Sequence, residues 1–444
     1  MTTSTICPIP WTHLSIQQNG DFRACCQCIY PPFGQLTDNG KTLNIATTDL
    51  NEARNHAVLK DLRKSMLQGE KHPLCNLCWA EEENGLSSKR KSTIKQYDIS
   101  NYQKLTQADG TIDTNQFPLQ YIDIRFGNLC NLKCRYCGPA DSSLWAEDYA
   151  LMANNEEPQL GFYNSPGYKI KKINNVWKID SKDFEWYELD TFWDQIKKLI
   201  PYVDRYYFTG GEPTVNKAHF KLLELIIKMG YAKKVTIEYN SNIVAIPNKL
   251  FKLWSSFKNI EIGCSIDATG DLANYLRYPS EWSVLTKNLK RIDQSGKLFS
   301  EHSNRSTPNI TAAIATTISV YNIRNFLELT EWLMAQPFRR VRTIPSFHVL
   351  EGPKHMSIQV LPIEVKEQIK QEYEDFYKKI AKTDKNKAQI IQNIFTGIIN
   401  YMFAQDCSAL LKNLKIATTK LDSVRNQKLE NQIPWLAEIL KKEL

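Results

Sequence analysis

Three thiols, Cys130, Cys134 and Cys137, stand in the run Phe126-Gly-Asn-Leu-Cys-Asn-Leu-Lys-Cys-Arg-Tyr-Cys137. A Cx3Cx2C loop of this kind supplies three corners of a four-iron cluster and leaves the fourth iron open. An electron-transfer cluster is ordinarily closed by four thiolates, whereas an open iron can chelate a small molecule and pass an electron into it. The chemistry to look for downstream is therefore a set of strand ends able to hold such a molecule.

Three segments have that form. Tyr206-Tyr-Phe-Thr-Gly-Gly-Glu-Pro213 reads as an aromatic strand ending in two glycines, which allow the backbone to approach a ligand closely. Val235-Thr-Ile-Glu-Tyr-Asn-Ser-Asn242 alternates and then ends in polar Asn240, Ser241 and Asn242. In Ile260-Glu-Ile-Gly-Cys-Ser-Ile-Asp267 the period-two pattern puts Ile260, Ile262, Cys264 and Ile266 on one face and Glu261, Ser265 and Asp267 on the other. With these segments in this order, the motif resembles the signature of the radical S-adenosylmethionine (SAM) superfamily. The resemblance implies that Gly210, Gly211 and Glu212 lie against the amino group of SAM. It implies further SAM contacts from Asn240, Asn242, Ser265 and Arg277, and an SAM-binding [4Fe-4S] cluster on Cys130, Cys134 and Cys137.

A second thiol group lies upstream. Thr12 to Gln18 and Asp21 to Cys25 read as two strands joined by Asn19-Gly20, a strong hairpin signal that returns Cys25 toward Cys7. Asp49 to Gln68 reads as one helix with Ala53, Ala57, Leu62 and Met66 near one face and Gly69 as its stop, leading to Cys75 and Cys78. The order Cys7, Gly20, Cys25, Cys75, Cys78 is similar to the twitch module, the half-length form of the SPASM auxiliary-cluster domain, here placed before the barrel. The resemblance implies a second [4Fe-4S] cluster on Cys7, Cys25, Cys75 and Cys78. The residue types also suit a Zn(Cys)4 knuckle, and Cys26 or Cys28 could replace Cys25. Cys264 reads as core packing and Cys407 as structural.

The elements that must position these groups read as α/β: a partial (β/α)6 TIM-like barrel, with a small N-terminal module of β-hairpin plus helix and a helical C-terminal tail. The expected strands lie near 120–126, 204–208, 234–239, 259–266, 309–318 and 341–349, with helices at His219 to Met229 and Asn325 to Met334. The expected divisions are a module at 1–91, a linker at 92–117, a barrel at 118–362 with an insertion at about 154–188, and a tail at 363–444. The insertion has the length and aromatic content of a substrate lid or a surface excursion. By alternation Asp123, Arg125, Glu238 and His348 point into the barrel, as substrate contacts or interior ion pairs.

At 444 residues and 42% hydrophobic content, the chain can bury a large core. Its net charge of +8 is modest for that size, and the basic run Ser87 to Ser92 lacks interleaved aromatics, so no nucleic acid partner is expected. No run approaches a membrane span and the first residues lack signal-peptide features, so the expected compartment is cytoplasmic. The resemblance implies reductive cleavage of SAM to a 5′-deoxyadenosyl radical that abstracts a substrate hydrogen, fed by an external one-electron reductant of flavodoxin or ferredoxin type. Twitch and SPASM enzymes as a class point to a ribosomal peptide or protein side chain as substrate. Oxidation or epimerisation of a small polyol or sugar, and a non-catalytic iron-sulfur binding role, are the alternatives.

Overall fold

Strands and helices alternate along the chain because stretches of period-two hydrophobicity are separated by capped amphipathic stretches. A computed structural model describes residues 5–28, 34–83, 88–153, 169–179, 181–295 and 309–442. Part of the expected insertion, residues 154–168 and 180, lies outside these. The chain forms two compact units: 1–128, 182–239 and 256–260 in the first, and 129–181, 240–255 and 261–444 in the second.

The first unit carries β1 (His13–Ile16), β2 (Phe22–Arg23), β3 (Tyr121–Ile124), β4 (Arg205–Phe208) and β5 (Thr236–Ser241), which crosses into the second unit after Tyr239. They lie in the order β5-β4-β3-β1-β2. β1, β3, β4 and β5 are parallel neighbours, and β2 returns antiparallel to β1 with Ser15 opposite Arg23. The N-terminal hairpin is thus an extension of the sheet to which β3 and β4 belong. Gly20 makes the hairpin turn at φ 85°, and a Cβ there would meet Asn44 Oδ1 at 2.8 Å. Leu14, Ile16, Ile122, Ile124, Tyr206, Phe208 and Ile237 form the buried apolar face, and Ser15, Asp123, Tyr207 and Glu238 align across the other.

The helix expected over Asp49 to Gln68 is two helices, Leu50–Ala53 and Ala57–Leu67. The break follows from three side chains committed elsewhere. Buried Arg54 donates to the carbonyls of Trp11 (2.5 Å) and Phe117, Asn55 accepts from Ile112 N at 3.0 Å, and His56 caps the second helix by accepting from Val58 N at 3.2 Å. Ala57 is consequently exposed, and Leu59 joins Leu62 and Met66 on the buried face. Gly69 stops the helix at φ 83°, as expected. The stretch 92–117 forms part of this unit: Arg63, also buried, donates to the carbonyls of Gly110 at 2.6 Å and Pro10 at 2.8 Å, and Trp11 Nε1 donates to Thr106 Oγ1 at 2.8 Å. The basic run turns inward. Lys89 donates to Tyr121 Oη at 3.0 Å, and Arg90 pairs with Glu82 while its guanidinium lies 4.6 Å from the Trp79 ring.

The second unit carries most of β6 (Asn259–Ser265), then β7 (Ile310–Ile318) and β8 (Ser346–Val349), in the order β8-β7-β6, with β7 and β8 parallel. Each of the six strands β3 to β8 is followed by a helix before the next strand, the strand count expected of the partial barrel, and the end of the chain is helical. The described remainder of the insertion includes a hairpin, Ile170–Ile173 with Val176–Ile179, turning through Asn174 and Asn175 at positive φ. Ile363–Ala381 packs on Lys385–Phe403, and Leu411–Arg425 ends at Asn426 with φ 51°. Among the described residues no helix is long and apolar enough to cross a membrane.

Candidate iron-sulfur and SAM site

The Cx3Cx2C loop lies at the start of the second unit and is bound on nearly every side. Lys133 N donates to Tyr278 O at 2.7 Å, Arg135 N to Leu276 O at 2.8 Å, Ser142 Oγ to Leu132 O at 2.6 Å, and Trp145 Nε1 to Cys134 O at 2.8 Å. These bonds fix the backbone and leave the sulfurs as the part still to be satisfied. Cys134 and Cys137 share a hydrogen bond that favours the Cys134 thiolate. That bond, aided by the nearby Arg277 charge, lowers Cys134 to about 7, while the same bond and burial raise Cys137 well above the ordinary thiol range.

Two of the positions expected to hold SAM meet these thiols. Asn242 Nδ2 points at Cys130 Sγ from 4.0 Å and donates to Asn131 Oδ1 at 2.8 Å. Arg277 Nη1 lies 3.8 Å from Cys134 Sγ, and its Nε pairs with Asp267 at 2.5 Å. Asp267 also accepts from Tyr136 Oη and, through Oδ1, from Thr317 N at 2.8 Å. The backbone beside Asn242 is unusual: Ile243, a buried β-branched residue, has φ 52°. Its carbonyl accepts from Asn288 Nδ2 at 2.7 Å, and its N–H donates to Ser241 Oγ at 3.0 Å. Of the remaining positions, Asn240 is exposed near the end of β5 and Ser265 is half-buried at the end of β6.

Gly210, Gly211 and Glu212 belong to the first unit. Both glycines have positive φ, 72° and 50°, and a Cβ on Gly210 would stand 2.7 Å from Arg125 Cβ. Glu212 is buried, and its Oε1 accepts from Thr214 N at 3.0 Å and Thr214 Oγ1 at 2.7 Å, closing its own turn. In the same unit Asp123 accepts from Ser15 Oγ at 2.7 Å and pairs with Arg125 at 3.4 Å, while Glu238 pairs with Arg205 and with Lys89 at 3.7 Å. Asp123, Arg125 and Glu238 are therefore interior ion pairs. In the second unit His348, on β8, has its pKa lowered by burial.

The N-terminal thiols form a pocket in the first unit. Cys7, Cys25, Cys75 and Cys78 line it, with Cys28 as a fifth thiol and Ile9, Leu62, Met66, Leu74 and Leu77 between them. Burial raises Cys7 to about 12 and Cys78 to about 11, and it raises Cys75 as well. Cys26 feels Lys89 and Asp123 as well as its neighbour Cys25. Among the described residues no three His, Cys, Asp or Glu side chains converge on a single-ion site.

Residues 124–300 match the Radical SAM superfamily, and residues 7–79 match SPASM, an iron-sulfur cluster-binding domain. The chain thus carries a radical SAM domain match and, before it, an iron-sulfur cluster-binding domain match. Among solved structures it is similar to native anSMEcpe with bound AdoMet, at 19% identity over 59% of this chain and 61% of that one, TM-score 0.35. SuiB of Streptococcus suis bound to S-adenosylmethionine gives 14% identity over 72% and 62%, TM-score 0.33. TsrM of Kitasatospora setae, a radical S-adenosylmethionine methyltransferase, gives 12% identity over 56% and 40%, TM-score 0.31. The chain spans about three fifths of the length of the first two. No curated protein matches it.

The two domain matches imply iron-sulfur clusters and SAM binding, and the donor sets are chemically apt. One is a short thiol loop flanked by a buried cation, the other an apolar pocket rimmed by thiols. Sequence reasoning missed Asn131, Tyr136 and the attachment of the C-terminal helix to the cysteine loop. Arg135, fully buried in the cysteine loop, pairs with Asp422, donates to Gln427 Oε1 at 2.9 Å, and lies 3.4 Å from the Tyr275 ring centroid. A buried Arg inside a cysteine motif was the available signal, since such a charge requires a partner.

Proposed function

We propose that this protein reductively cleaves SAM and uses the resulting 5′-deoxyadenosyl radical to abstract a hydrogen from a peptide or protein side chain. The observation that carries the reading is the meeting of Asn242, just past the end of β5, and Arg277, at the C-terminal end of the helix Gly270–Leu276, with the sulfurs of Cys130 and Cys134 at 4.0 and 3.8 Å. Cys130, Cys134 and Cys137 would hold a [4Fe-4S] cluster with one open iron, which when bound supplies the electron to chelated SAM.

The chain's own residues supply binding and order. Arg277, kept protonated by Asp267, is a fixed cation for a carboxylate. Asn242 offers amide donors beside Cys130, with its Oδ1 already committed to Val244 N at 3.0 Å. The positive φ of Gly210 and Gly211 leaves a stretch without side chains for a close backbone approach. Cys7, Cys25, Cys75 and Cys78 would hold a second [4Fe-4S] cluster closed by four thiolates; the SPASM match over 7–79 supports that assignment. The peptide reading follows from the class of enzymes that carry this module.

The test is anaerobic reconstitution with iron counting and 5′-deoxyadenosine detection. About eight irons per chain, from two four-iron sites, together with product that disappears in Cys130→Ala, are expected. Product that persists in that variant would overturn the reading.

A further inference from the structure

The end of the helix Leu411–Arg425 reaches the cysteine loop through two buried ion pairs of opposite polarity. From the loop, Arg135 extends to Asp422 of the helix. From the helix, Arg425 extends to Asp148, its Nε donating to Oδ2 at 2.7 Å, with both side chains only 1% exposed. The Arg425 guanidinium lies 4.9 Å from the ring centroid of Trp145, and the Nε1 of that ring donates to Cys134 O at 2.8 Å. One pair would suffice to anchor a helix.

The second pair is charge-unbalanced. Asp148 is shared between Arg425 and Lys133, whose Nζ lies 2.5 Å away. Arg135 is matched by Asp422, and Arg277 by Asp267. Four cations thus face three buried carboxylates around the loop; the fourth carboxylate, Glu147 at 3.9 Å from Lys133, is exposed to solvent, and both Nη atoms of Arg425 are buried without a hydrogen-bond partner. An excess buried charge of this kind is costly unless a negative group completes it. The group the loop would hold through three thiolates brings negative charge to that place, and the Arg425 charge is already felt at Cys134.

Building on the assignment of the cluster to this loop, we propose that Arg425 is a positioning residue for its redox chemistry. The uncompensated charge behind Cys134 stabilises the reduced, more negative state of the cluster and raises its reduction potential, bringing it within reach of a flavodoxin- or ferredoxin-class donor. Asp148 sets the size of the effect by partly cancelling that charge. Net charge near a cluster is one of the established levers on its potential.

The test is a redox titration of the reconstituted full-length chain, following the electron paramagnetic resonance signal that responds to added SAM. In Arg425→Gln the ratio of reduced to oxidised cluster at a given potential should fall about tenfold, equivalent to about 59 mV for one electron. In Asp148→Asn it should rise, and Arg425→Lys should stay near the native value. Both neutral variants loosen the same contact, so a merely structural role would move the two in one direction. Movement in one direction, or an unshifted midpoint in Arg425→Gln, overturns the proposal while the cluster assignment stands. If Arg425→Gln does not fold, the upward shift expected of Asp148→Asn, set against the unshifted midpoint expected of the charge-preserving Arg425→Lys, carries the same comparison, and an unshifted Asp148→Asn overturns the proposal. A native chain without any SAM-responsive signal would instead overturn the assignment itself.

Discussion

The two cysteine sets differ in what surrounds their sulfurs. In the Cx3Cx2C loop a buried guanidinium stands 3.8 Å from Cys134, and the thiol pair shares a proton so that one member ionises near neutrality. In the N-terminal pocket the thiols sit among Ile9, Leu62, Met66 and Leu74, and burial holds Cys7 and Cys78 protonated at neutral pH. The first environment sets a buried cation against a sulfur; the second is mostly apolar, with Lys89 and Arg90 also in its lining. The contrast teaches that thiol motifs alike in sequence can be sorted into exchange and structural or electron-storing roles by the polarity of their surroundings.

The sharpest way to break the contrast is to delete one thiol from each set. Cys134→Ala should abolish 5′-deoxyadenosine formation and remove about half of the iron, as expected for one of two four-iron sites. Cys75→Ala should remove a similar share of iron while SAM cleavage uncoupled from substrate persists. Iron analysis and product chromatography check both outcomes, and equal loss of cleavage in the two variants would erase the distinction.

A second difference should appear in the pH dependence of iron loading. Thiols must lose protons to ligate, so each proton released steepens the apparent affinity by about tenfold per pH unit. Cys7 and Cys78 are raised to about 12 and 11, so the pocket releases their protons throughout the neutral range; Cys134, lowered to about 7, has lost most of its own above that pH. Loading of the N-terminal site should therefore rise more steeply between pH 7 and 9 than loading of the loop. The measurement is iron uptake in Cys130→Ala against Cys75→Ala. In the metal-free chain the sign for stability is the reverse for Cys7. Its folded pKa lies above the ordinary 9.0, so its contribution is intact below pH 9 and is lost as pH rises toward 12.

Smaller effects sharpen the ligand side of the comparison. Arg277→Gln removes a charge-assisted contact of about 1.5–3 kcal/mol, so SAM binding should weaken by one to two orders of magnitude. Asn242→Ala removes neutral hydrogen bonding of about 1 kcal/mol and should weaken it about fivefold. Equilibrium binding of SAM to the reconstituted protein reads both. Neither change should alter iron at the N-terminal pocket.

Much of this was legible in the residues. Period-two patterning located all six barrel strands, and Asn19-Gly20 located the hairpin, because those signals are local. The polar stretch Asn240 to Asn242 and Ser265 fall at the ends of β5 and β6, as the alternation places them. The broken helix at Arg54 to His56 was not legible, since its cause is a set of bonds to Trp11, Ile112 and Phe117, distant in sequence. The inward turn of Lys89 and Arg90 was hidden for the same reason: a basic run looks solvated until Glu238, Glu82 and Trp79 are placed beside it. The attachment of the C-terminal helix to the cysteine loop joins positions 135 and 422, a pairing only the folded chain displays.

The most direct test of an open iron on Cys130, Cys134 and Cys137 is the electron paramagnetic resonance spectrum of the chemically reduced protein before and after SAM is added. The account predicts a spectrum that SAM changes in the native chain and in Cys75→Ala, and no SAM-dependent change in Cys130→Ala. A native spectrum indifferent to SAM, or a change that survives in Cys130→Ala, would contradict it.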